Sequence, residues 1–333
     1  MQKGFVCCVW LIGQLTCLGG GSQPLPPGAE KESNPKQSVP EKPNDERPST
    51  EREIVKLIAR LSEVENPYVG LSPSVSGRSF SAMTGTEKIE ARVLTEHRLK
   101  TPEPLKLLVQ LGPEALPYLL QALDDKTPSK LKFEPWKGFM NVGFPKDGQP
   151  YTVKVGDICY VALGQIIGRQ YRYVNYIPSG TFCISSPVED QELVKNVRAE
   201  WAKKEPAEQL REILTKEYQT KPEFNGESLD GWYKGSNLQI EAAMRLLYYY
   251  PKQGVPLVVA RLKALDVADP GKQLEAWMRR EVRNGVRTDE FIKAVTWCEH
   301  PDVRAALADL AKRTTDQEIA KLLKMVGVPK QKP

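Results

Sequence analysis

A chain of 333 residues is long enough to bury one large core or two smaller ones. Its net charge of +5 comes from abundant, interleaved charges of both signs, which excludes the concentrated basic surface of a nucleic-acid binder. Apolar residues make up 40% of the chain, and no stretch after residue 20 holds the ~18 apolar residues that a membrane span needs.

The first residues depart from that composition. Lys3 precedes the apolar run GFVCCVWLIGQLTCL (4–18), and GGGS (19–22) supplies small residues for cleavage. This three-part pattern predicts a signal peptide over 1–21 and an exported protein, periplasmic or extracellular. Two processing routes stay open. Cleavage after Gly19 or Gly21 gives a free end. Lipidation of Cys17 gives a membrane-anchored lipoprotein, although Gln14 and Thr16 stand where lipoprotein signals carry an apolar and a small residue. Residues 22–49 follow with seven prolines, alternating charges and almost no large apolar side chain, so they read as a disordered, extended linker.

An N-terminal helical region is expected over 50–130. Thr50-x-x-Glu53 has the form of a capping box, and Ile54, Leu57, Ile58 and Leu61 then repeat at helical spacing. Residues 65–83 are rich in Ser, Gly and Pro and read as loop, and a helix resumes over 86–99 with His97 on its apolar stripe. Pro102 to Leu111 forms one short helix. Gly112-Pro113 breaks it, and a second helix buries Leu116, Leu119, Leu120 and Leu123. Pro113 and Pro117 fall in the turn and the first helical turn, where amides have no intrahelical partner and proline costs little.

The middle, 131–236, reads as an irregular, partly β, aromatic-rich insertion that also contains helices. Residues 133–157 suggest loops and short strands, Asp157 caps an apolar helix over 158–168, and 171–186 is β-like or irregular. Ser186-Pro187-Val188-Glu189 opens a helix through Leu193, Val197 and Trp201, and Pro206 opens another through Leu210, Ile213 and Leu214.

Helix pairs return over 237–327. Their stripes are Ile240, Ala243, Met244 and Leu247; Val255, Val258, Val259 and Leu262; Leu274, Trp277, Met278 and Val282; Phe291, Ala294, Val295 and Cys298; Val303, Ala306, Leu307 and Leu310; and Ile319, Leu322, Leu323 and Val326. GVPLVVARLKAL (254–265) echoes ALPYLLQAL (115–123), and first helices start near 239, 271 and 302. A helix-pair period of about thirty residues is the sign of a stacked solenoid. LVQLGPEALPYLLQALDD (108–125) and HPDVRAALADLAKRTTDQEIAKLLKMVG (300–327) resemble HEAT-type helical repeats, with 238–298 a looser match. The resemblance implies a mainly α, HEAT-like α-solenoid that presents a curved surface to a partner and has no chemistry of its own.

Residues that carry chemistry are sparse. The two histidines are His97 and His300, the latter before Pro301 at a helix start. A Cys159/Cys183/Cys298/His300 set has zinc-ligand residue types but no close ligand pair, so no metal and no cofactor is expected. In an exported protein Cys159 and Cys183 either form a disulfide or stay buried thiols. No nucleophile-elbow, phosphate-loop, zincin or calcium-loop motif occurs. EFNGESLDGW (223–232) is similar to the opening of a jelly-roll, sugar-processing family, but helical pattern follows where that family needs strands.

Two candidate binding surfaces stand out. Arg279, Arg280, Arg283 and Arg287 form a basic strip for an anionic partner, with Glu275, Glu281 and Asp289 near enough to neutralise it. Trp136 leads an aromatic set in the middle segment that has the side chains to stack on sugar rings. The leading expectation is a non-catalytic exported scaffold that binds a protein or envelope component. The alternatives are a glycan- or cell-wall-binding module and, last, an enzyme with a dispersed site.

Overall fold

The computed structural model describes residues 47–65, 80–83, 102–133, 151–168, 186–221, 229–325 and 327. The segment read as a signal, Cys17, linker residues 22–46, the helix expected over 86–99 with His97, Trp136 and Cys183 lie outside them. The described residues are mainly helical. Helix α1 (Arg47–Arg60) buries Ile54, Leu57 and Ile58, and a 3-10 turn buries Leu61 after it. The helix starts three residues before Thr50, inside the stretch read as linker, so Thr50 is not its cap.

The proline-rich seam folds as expected. Helix α2 (Glu103–Leu111) ends at a 3-10 turn over Gly112–Glu114, and α3 (Leu116–Gln121) carries Pro117 in its first turn. Gly112 adopts φ 55°, a conformation that a side chain disfavours. Space forbids one as well. A Cβ there would lie 2.1 Å from the ring of Tyr249, whose hydroxyl donates to the Val109 carbonyl. The seam is thus pinned by a residue far along the chain.

Strands β1 (Pro128–Phe133) and β2 (Tyr151–Lys154) pair antiparallel. The 130/131 boundary expected from composition falls inside β1. Helix α4 (Val155–Ile167) is buried along its whole length and packs on α2, α3 and β2, which makes it the centre of the N-terminal core. Asp157 stands in its first turn and accepts from the Lys154 amide (2.8 Å), the Tyr151 hydroxyl (2.6 Å) and the Ser186 hydroxyl (2.6 Å). Burial raises the Asp157 pKa against these three bonds, which favour its charged form. Ser186 is spent on this contact and does not cap the next helix. Helix α5 (Gln191–Trp201) is capped by Asp190, which accepts from the Leu193 amide at 3.0 Å. Helix α6 (Pro206–Gln219) opens at its proline as expected.

Helix α7 (Leu229–Tyr249) starts about ten residues before its apolar period, because Gly231 and Gly235 hide the helix in the sequence. Helix α8 (Pro251–Ala264) also starts early, so Pro256 lies inside it and is no equivalent of Pro117. A Cβ on Gly254 would lie 2.6 Å from the Leu246 backbone, which shows how closely α7 and α8 approach. Helices α9 (Leu274–Asn284), α10 (Thr288–Val295), α11 (Pro301–Arg313) and α12 (Gln317–Met325) complete the described elements. His300 caps α11, its Nδ1 accepting from the Asp302 amide at 3.3 Å. Asp316, not Thr315, caps α12, accepting from Glu318 (2.9 Å) and Ile319 (3.1 Å).

First helices start at Leu229, Leu274 and Pro301, so their spacing is uneven. Extensive packing runs between α7 and α8, α7 and α10, α8 and α11, and α11 and α12, whereas α9 packs extensively on none of the described elements. One hydrophobic cluster extends from Ile54 to Leu323. No helix among the described residues is long and apolar enough to cross a membrane.

Candidate functional site

Helix α9 is turned the wrong way for an ordinary amphipathic helix. Its sequence LEAWMRREVRN carries apolar residues at helical spacing, which predicts that Leu274, Trp277, Met278 and Val282 face the core. The structure buries Arg280 and Glu281 and leaves Leu274 70% and Val282 39% exposed. Trp277 and Met278 are half-buried.

The inversion has a cause in the buried pair. Arg280 Nη2 donates to Glu281 Oε1 at 2.9 Å, and its Nη1 donates to Asp316, the cap of α12. The other Glu281 oxygen accepts from the Thr288 amide at the start of α10. The Arg280–Glu281 pair therefore ties α9 to two later helices, the guanidinium to α12 and the carboxylate to α10. Burial raises the Glu281 pKa, opposed by the Thr288 amide and by Arg280. A buried charge left without its partner costs several kcal/mol, so this network sets the roll of α9. Asn284 completes the tie by exchanging two bonds with the Asp266 backbone, at 2.8 and 2.9 Å.

The four arginines read as one basic strip have separate fates. Arg280 is structural and does not belong to the strip, because its neighbours' carboxylates draw it inward. Arg283 pairs with Asp266 at 2.9 Å, and Arg287 lies 3.5 Å from Glu290. Arg279 alone of the four has no ion pair among the described residues. It stands one turn after Glu275 and beside Met278.

Arg279 and Arg283, but neither Arg280 nor Arg287, line a groove of about 870 Å³ between α9 and the loop before it. Met278, Val282, Arg279 and Arg283 form one side, and Asp269 and Pro270 form part of the other. The loop is held in place. The Asp269 amide donates to Thr315 Oγ1 at 2.9 Å, and the Asp269 carboxylate accepts from the Gly271 amide at 2.8 Å. The sequence placed Arg279 and Arg283 on a binding surface but missed the apolar row and its facing wall. The adjacent pair Arg279-Arg280 held a signal. Neighbours in a helix point about 100° apart, so two adjacent arginines do not share one partner-facing row.

Another polar cluster is internal. Arg245, fully buried on α7, donates from Nε to the Gln165 carbonyl (2.8 Å) and from Nη1 to Glu241 (2.5 Å), and lies 4.5 Å over the Phe80 ring. It joins α7 to α4. Cys159 and Cys298 carry free, buried thiols, and burial raises both pKa values. Among the described residues no group of three or more His, Cys, Asp or Glu side chains is placed to hold a metal ion. Comparison with protein-family models, with curated proteins and with solved structures finds no match.

Proposed function

We propose that the protein is a non-catalytic, exported scaffold built from helix pairs of HEAT type, and that it meets a protein or envelope partner through α9. The inverted roll of α9 carries this reading. Full burial of a leucine is worth about 1.5–3 kcal/mol, and this helix forgoes most of that at Leu274. Apolar rows left outward beside a shaped groove mark interaction sites. A regular stack of pairs would cover α9, whereas here the roll set by the Arg280–Glu281 pair leaves the row open. Anion binding by a continuous four-arginine strip is not part of the proposal, since Arg280 is withdrawn.

The test is photo-crosslinking in cells from the full-length protein. A benzophenone amino acid at position 274 is expected to give a discrete adduct. One at position 55, where Val55 is 53% exposed on α1, serves as the control. No adduct at 274, or the same adducts from both positions, would overturn the reading.

A further inference from the structure

The groove has a chemistry of its own, set by which of its charges are already satisfied. Asp269 is bonded to the Gly271 amide and Arg283 to Asp266 just outside the lining, so these two lining charges have local partners, and Glu275 stands one turn before Arg279. Arg279 has none among the described residues, although it is exposed on the groove side. Beside it Met278 and Val282 of the lining continue one turn back to the exposed Leu274 just outside it, a row of three side chains at every fourth residue, about 6 Å apart. That is the spacing at which a second helix seats its own aliphatic residues. Both sides are fixed before anything binds, because Asn284 and Thr315 tie the loop to α9 and to the α11–α12 junction. A preformed groove avoids the ordering cost of binding.

We infer that the groove takes an amphipathic helix of a partner protein, with aliphatic residues one turn apart laid on Leu274, Met278 and Val282 and a carboxylate reaching Arg279. This rests on the reading of α9 as the binding face and adds the class of what binds there. Glu275 sets the polarity, since a carboxylate belongs opposite Arg279 and not one turn earlier. A second copy of this chain fits less well. Two α9 helices related by a two-fold axis near Met278 would bring Arg279 against its own copy. An anionic lipid surface fits less well again, because Glu275 and the Asp269 loop share the surface with Arg279.

Fluorescence anisotropy with two labelled synthetic peptides tests the inference. Both peptides are helices of about four turns with leucines one turn apart. One carries a glutamate flank and the other a lysine flank. The full-length protein is expected to bind the glutamate peptide and to bind the lysine peptide roughly ten-fold more weakly. Arg279→Glu, at an exposed position, should reverse that order, and Leu274→Ser should weaken both. Equal binding, no binding, or an order unchanged in Arg279→Glu would overturn the inference. So would self-association in sedimentation, or phosphatidylglycerol vesicle binding, that Leu274→Ser abolishes. A discrete crosslink from position 274 with no peptide preference would leave the binding face standing and remove the acidic helix. Failure of both experiments would remove both.

Discussion

Arg279 and Arg280 are chain neighbours with opposite roles. The first stands in water on the groove, and the second is enclosed by Glu281 and Asp316. Removing Arg280 leaves two buried carboxylates without a cation, so Arg280→Ala is expected to cost about 3–5 kcal/mol. Arg279→Ala should change stability by less than about 0.5 kcal/mol. Urea denaturation of the two variants measures the contrast, and equal losses would contradict the burial of Arg280. The sequence alone does not separate them. Both are arginines on a charged helix, and which one turns inward depends on Asp316, thirty-six positions later.

At the level of elements, helices were legible wherever apolar residues kept the period. Ile54, Leu57, Ile58 and Leu61 are buried as their spacing predicts, and so are Leu116, Leu119, Leu120 and Leu123. Helix starts were less legible, since hydroxyls and carboxylates that can cap a helix can also bond elsewhere. Ser186 bonds Asp157, and Thr315 accepts from Asp269. Helix α5 shows a long-range cap. Arg198 donates to the Leu120 and Gln121 carbonyls, at 2.9 and 2.8 Å, and to both Asp124 oxygens, satisfying the free carbonyls at the end of α3. Its guanidinium holds the Asp124 pKa below the usual carboxylate range. A depressed carboxylate stabilises the fold above its unfolded pKa, near 4, and loses that contribution as pH falls through its folded value. Stability of the parent protein should therefore fall more steeply below about pH 4 than that of Asp124→Asn. Both side chains are over a third exposed, so the difference should stay under about 1 kcal/mol. Urea midpoints from neutral to acid pH would show it, and parallel curves would refute it.

The whole molecule raises the question of how many units unfold. Composition suggested three regions after the linker, yet α4 from the middle region fills the N-terminal core, and one apolar cluster joins Ile54 to Leu323. Cys159 and Cys298 report on its two ends as buried thiols. Both are expected to react with a thiol reagent at the same denaturant midpoint as the global transition. Separate midpoints would show the ends unfolding independently, and a Cys159 that stays unreactive when unfolded without reductant would reveal a disulfide. The sequence by itself determined the helical class, most of the buried apolar positions and the seam at Gly112-Pro113, because periodicity and proline act locally. Only the tertiary structure decided the roll of α9, the withdrawal of Arg280 and the groove that resulted. A helix turns toward whichever partners satisfy its buried charges, and for α9 those partners include Asp316 and the Thr288 amide on later helices.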